Sequence, residues 1–128
     1  MDFFFKGNIP SFKNSKRIFR TKTGKTVLTH SKAVQKYLDE FEGQWEDRNT
    51  ILAFRKQLEG KEKPYKIGFF FVREDRRRFD YINMLQLPQD LMVKHGFIDD
   101  DNCNEIIPVI LGYKVDKNNS GILIKVLD

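Results

Sequence analysis

Pro64-Tyr65-Lys66-Ile67-Gly68-Phe69-Phe70-Phe71-Val72 reads as a buried strand. Charge bounds the run, and its interior is aromatic and β-branched, the residue types that fit a pleated surface. On its N-terminal side, Val34, Tyr37, Leu38, Phe41 and Trp45 recur at three- and four-residue steps, which predicts a helix from Ser31 onward with Ser31 or Thr29 as its cap. Gly43 weakens that helix. Ile51, Leu52, Arg55 and Leu58 then mark either its continuation or a second helix after Asp47, ended by Gly60. Further upstream, the Phe-rich residues 2–6 read as a strand ended by Gly7 and Asn8, and Ile9-Pro10-Ser11 turns the chain into a basic loop over residues 12–29.

Downstream, a helix is predicted over residues 80–95, closed by Gly96. Tyr81, Met84, Leu85, Pro88, Leu91 and Met92 share one apolar arc, while Asp80, Asn83, Gln86 and Asp90 fall on a polar one. Pro88 removes a donor in mid-helix, so a kink or a 3₁₀ irregularity is expected around residues 85–88. Residues 106–115 and 122–126 read as two strands joined by the turn Asn118-Asn119-Ser120-Gly121, a C-terminal β-hairpin. Strands bracketing two helical regions predict a single α+β (or α/β) domain over residues 1–128, a mixed β-sheet packed against helices.

Composition sets the class. With 40% hydrophobic residues and twelve Phe the chain can bury a real core, which excludes a disordered protein. The apolar residues 1–5 are too few for a signal-peptide core, and no run approaches the roughly 20 residues that span a bilayer, so a cytoplasmic protein is expected. Cys103, the single cysteine, excludes an intrachain disulfide. No His stands near it in sequence to activate it, so it reads as a packing or loop residue. The net charge of +5 favours an anionic partner, with nucleic acid the default.

The charges are grouped. Lys13, Lys16, Arg17, Arg20, Lys22 and Lys25 form one basic segment, interleaved with Phe12 and Phe19, which either stack on bases or anchor the loop. Arg76, Arg77 and Arg78 form another, open to a reading as phosphate contacts or as ion-pair partners of the acidic loop Asp99-Asp100-Asp101-Asn102. Adjacent carboxylates repel unless something positive neutralises them. Hard oxygen ligands would favour Mg²⁺ or Mn²⁺, and the alternative is a solvated Asp-rich turn. Acidic groups between basic segments are what metal-assisted phosphodiester hydrolysis requires.

Arg77-Arg78-Phe79-Asp80-Tyr81-Ile82-Asn83-Met84-Leu85-Gln86, followed by Gly96-Phe97-Ile98-Asp99-Asp100-Asp101, resembles the core of the RusA family of Holliday junction resolvases. That family's signature runs approximately Arg-Arg-x-Asp-x-Asp-Asn-x-x-Lys and then Gly-Phe/Trp-x-x-Asp-Asp. Near the N-terminus, Pro10-Ser11 with Asn14 and Arg17 resembles its Pro-Ser-x-Asn motif. The resemblance implies a homodimeric, Mg²⁺-dependent endodeoxyribonuclease, often of phage origin, that resolves four-way DNA junctions in recombination and repair.

By position, Asp80 and Asp101 match two catalytic aspartates. Ile82 stands where the family has a second helical aspartate, and Gln86 where it has a lysine. Asn83, Asp100 or Asp99 could supply metal-facing oxygens in their place, and Gln86 could hydrogen-bond phosphate without providing its charge. The site expected from the resemblance is therefore Asp80, Asp100 and Asp101 around a metal, with Asn83 and Gln86 beside it. DNA contacts are expected from Lys13, Asn14, Lys16, Arg17, Arg76, Arg77 and Arg78. The alternatives are a DNA- or junction-binding relative with weak or no cleavage, and a phage interaction module. Geometrically, Asp101 must fold back along the helix to reach Asp80.

Overall fold

The computed structural model describes residues 1–12, 16–20 and 26–128, with only the backbone of 16–20 and 26–30. Its main sheet has four strands: β1 (Asp2–Lys6), β4 (Tyr65–Arg73), β5 (Ile106–Val115) and β6 (Gly121–Val126), in the order β1-β6-β4-β5. β4 pairs antiparallel with β6 and parallel with β5, so the sheet is mixed and the aromatic run ending at Val72 lies in an inner strand. The tight turn before β6 is present as expected. β4, however, is inserted between the two strands that the turn joins, so the C-terminal hairpin is split and its arms bond to β4.

A second sheet occupies the expected basic loop. β2 (Lys16–Arg20) and β3 (Thr26–His30) form an antiparallel pair, so this segment spends its backbone groups on a hairpin rather than an irregular loop.

Three helices cover one face of the main sheet. α1 (Lys32–Phe41) starts where Ser31 Oγ accepts from the Val34 N–H. A 3₁₀ turn (Glu42–Glu46) carrying Gly43 separates it from α2 (Arg48–Leu58), which is capped by Asp47 through the Thr50 N–H at 2.9 Å. This settles the two readings of the region in favour of a second helix. α3 (Tyr81–Lys94) is continuous through Pro88, with no 3₁₀ segment around it.

Alternate residues of the strands (Phe3, Phe5, Ile67, Phe69, Phe71, Ile122, Ile124) meet Val34, Trp45, Phe54, Met84, Leu91 and Met92 in one core. Phe5 stacks on Trp45 with ring centroids 3.9 Å apart. Leu87, outside the predicted apolar arc of α3, is buried as well. No described helix is long and apolar enough to cross a membrane.

Candidate active site

β4 ends in Arg73, and the chain then runs through the exposed Arg76, Arg77 and Arg78 to the start of α3. Phe79 and Tyr81, on either side of Asp80, are held by packing. Phe79 meets the Tyr113 ring edge-on at 5.0 Å and Tyr81 at 5.2 Å, and the Arg73 guanidinium lies 4.9 Å above its centroid. With both neighbours anchored, Asp80 is left exposed at the N-cap of α3. Its side chain caps no backbone N–H and accepts instead from Asn83 Nδ2 at 3.2 Å. The positive end of the helix dipole lies beside it.

The N-terminal segment runs past the same helix end. Arg73 Nη1 donates to the Ile9 carbonyl, and the Phe12 N–H to the Asn83 carbonyl at 3.0 Å. Lys13 and Asn14 lie outside the described residues. Lys16 and Arg17 belong to β2, opposite His30 and Thr29.

Farther along α3, Gln86 Nε2 donates to Asp90 at 3.2 Å. Ile82 is 81% exposed. An apolar side chain on the polar arc buries nothing here.

The acidic loop is at the other end of the helix. Phe97 and Ile98 are buried, and their N–H groups bond back to the Met92 carbonyl, so the chain dives into the core after Gly96. It emerges beside α2, where Arg55 donates to the Gly96 carbonyl and, at 2.8 Å, to Asp99. Lys63 reaches Asp99 at 3.5 Å and Glu105 at 2.8 Å. The Arg55 hydrogen bond and charge, reinforced by Lys63, hold the Asp99 carboxyl below the usual range. Asp99 is thus engaged structurally. Asp100 accepts from the Asp101 N–H at 2.8 Å and from Asn102 Nδ2 at 3.1 Å, and Asn102 Oδ1 accepts from the Asn104 N–H at 2.9 Å, an Asx turn.

Within one chain, then, Asp101 does not fold back toward Asp80. The fourteen residues of α3, about 21 Å of helix, separate the two ends. The hard-oxygen set expected for a divalent ion is divided: Asp80 and Asn83 at one end, Asp100 and Asp101 at the other. Arg76, Arg77 and Arg78 do not pair with the acidic loop either. Within the triplet, Arg77 faces Asp75 at 3.7 Å, and the loop is served by Arg55 and Lys63.

One constellation had no counterpart among the sequence expectations. Glu42, Glu46 and His95 place their ligand atoms within 4.8 Å of one another. Glu42 also receives Lys94 Nζ at 2.7 Å and lies 2.8 Å from His95 Nε2. With that ammonium already neutralising it, Glu42 works as a clasp between the end of α1 and the end of α3. Cations in the last turn of a helix before a closing glycine were the available signal.

No protein-family model matches the chain. Its sequence is similar to that of the crossover junction endodeoxyribonuclease RusA of Aquifex aeolicus (strain VF5), 34% identical over 84 residues, a match that spans 64% of this chain and 64% of the relative's length.

Proposed function

We propose that this protein is an endodeoxyribonuclease that cuts branched DNA, four-way junctions above all, as a homodimer that requires Mg²⁺ or Mn²⁺. The similarity to the RusA resolvase carries the reading. Two features agree with it: Asp80 is exposed between anchored aromatic neighbours, and the basic triplet Arg76, Arg77 and Arg78 leads directly into it. In this reading Asp80, Asp100 and Asp101 hold the metal, Asn83 and Gln86 assist, and the triplet with Lys13, Asn14, Lys16 and Arg17 grips the phosphates. Two symmetrically placed nicks need two copies of a site, and a two-fold dimer supplies them.

The exposed Ile82 and the neutral Gln86 favour a second reading, a junction-binding protein with little cleavage. Incubation with four-way, flap and linear duplex substrates, with and without Mg²⁺ or Mn²⁺, separates the two. Metal-dependent paired nicks in the four-way substrate support the nuclease. A gel shift without nicks supports the binder, and the absence of both would abandon both readings.

A further inference from the structure

We propose that Glu42, Glu46 and His95 form a binding site for one Zn²⁺ ion, at the opposite end of α3 from Asp80 and independent of the nuclease reading.

Three side chains from two elements converge there. Glu42 and Glu46 open and close the 3₁₀ turn after α1, and the buried Trp45 pins that turn to the core. His95 is the C-cap of α3. Its N–H bonds to the Leu91 carbonyl at 3.0 Å, and Gly96, with a φ of 85°, turns the chain away immediately after it. The ligand atoms of the three residues lie within 4.8 Å of one another. Tetrahedral ligands set about 2.1 Å from an ion stand about 3.4 Å apart. Glu42 and His95, now 2.8 Å apart, therefore open slightly, and Glu46 swings in. Glu46 is exposed, and among the described residues no hydrogen bond or ion pair holds its carboxylate, so the movement breaks nothing. The side chains of His95 and Glu42 are only 12% and 16% exposed, so two of the three ligands are already ordered when the ion arrives.

The donor set selects the ion. One imidazole nitrogen and two carboxylates suit Zn²⁺, for which a water completes the tetrahedron, whereas Mg²⁺ prefers an all-oxygen shell. The last carbonyls of α3 add the negative end of the helix dipole. Glu42 presents the same oxygen, Oε2, to Lys94 Nζ and to His95. Zinc therefore competes with the Lys94 ammonium, whose side chain is 62% exposed and can withdraw into solvent at little cost. Without zinc the ammonium neutralises Glu42; with zinc, coordination closes the same clasp between the ends of α1 and α3.

That competition gives the test its sign. Calorimetric titration of the metal-free protein with ZnCl₂ near neutral pH should show one ion per chain, and millimolar Mg²⁺ should leave the isotherm unchanged. Glu46→Gln and His95→Gln should each weaken binding by about tenfold or more. Lys94→Met should tighten it. Glu46→Gln removes no contact of the metal-free fold, so it decides the matter even if His95→Gln fails to fold. His30→Gln/Cys103→Ser, which removes the remaining histidine and the cysteine, should bind as the wild type does. Wild-type affinity in Glu46→Gln, or loss of binding in His30→Gln/Cys103→Ser, would put the ion elsewhere and overturn the proposal. Displacement of zinc by Mg²⁺ would reduce the cluster to an unselective acidic patch, and unchanged or weaker binding by Lys94→Met would show that the ammonium and the ion do not share Glu42; either result also overturns it.

Discussion

The guanidinium of Arg73, at the end of β4, donates to the carbonyl of Ile9 at 2.5 Å, tying the inner strand to the N-terminal segment 64 positions away. The same group lies over the Phe79 ring, one residue before Asp80. It is buried, and its Nε finds no partner among the described residues. Arg73→Ala should cost about 2–3 kcal/mol, the worth of a charged hydrogen bond whose acceptor is left buried. Arg73→Lys should fall between, since an ammonium keeps the charge but not the planar stack. Urea unfolding measures both, and equal losses would show that shape contributes nothing.

Trp45 is a heavily packed ring of the core, stacked on Phe5, edge-on to Phe97 at 6.0 Å and donating to the Tyr37 hydroxyl at 3.1 Å. Trp45→Ala should destabilise the fold by about 3–5 kcal/mol through reduced burial and the cavity left behind. Burial also pushes the Tyr37 hydroxyl up to about 12, against the opposing hydrogen bonds of Trp45 and Gln44. Alkaline absorbance titration should therefore show one tyrosine of the wild type ionising later than the others.

Glu42 gives the fold an acid limb. Burial raises its carboxyl, but the hydrogen bonds and charges of Lys94 and His95 outweigh that and leave it below its ordinary 4.5. A depressed carboxyl contributes stability that is fully present above its unfolded value and is lost as pH falls through the folded one. Stability should thus hold from pH 7 to about 5 and decline below about 4.5, and Glu42→Gln should flatten part of that decline. Denaturation midpoints across pH 3–7 check it; an unchanged slope in Glu42→Gln would assign the limb to other carboxylates.

What the sequence revealed was mostly local. The positions of β1, α1, β4 and α3 were legible because each carries its own period or cap, Ser31 for α1 and Gly96 after α3 among them. The β2–β3 hairpin was not, because cationic side chains hid the alternation of its strands. Sheet order is a long-range property: nothing within residues 106–126 announces that β4 will lie between the two strands. The site divides in the same way. Exposure of Asp80 follows from its aromatic neighbours in sequence. The path of the acidic loop is set instead by the burial of Phe97 and Ile98 and by Arg55, 44 positions from Asp99.

If the basic triplet grips phosphates, junction affinity should fall steeply with salt, and each phosphate-binding cation removed should flatten the slope of log affinity against log salt by roughly 0.9. Arg76 and Arg78 are the clearer candidates, since Arg77 also faces Asp75. Replacing all three with Ala and measuring binding from low to moderate salt tests this. An unchanged slope would assign the arginines to the protein's own fold.

The most informative substitutions concern α3. Asp80→Asn should abolish cleavage and leave junction binding intact or tighter, since one negative charge facing the phosphates is removed while the Asn83 hydrogen bond can be kept. Ile82 lies one residue inside the same helix end and is exposed, so Ile82→Asp sacrifices no burial, adds a carboxylate near the positive end of the helix dipole and supplies the second helical aspartate that the resemblance to RusA resolvases implies. Gln86, one turn further on, is held by Asp90, and Gln86→Lys keeps that partner as an ion pair while adding a positive charge. The double variant should nick four-way junctions faster than the wild type, by roughly tenfold if the new charges contribute about 1.4 kcal/mol to the transition state. Single-turnover rates at saturating protein measure it, with light scattering and thermal melts as controls. A stable, dimeric double variant that nicks no faster would show that the natural residues at 82 and 86 do not limit the reaction.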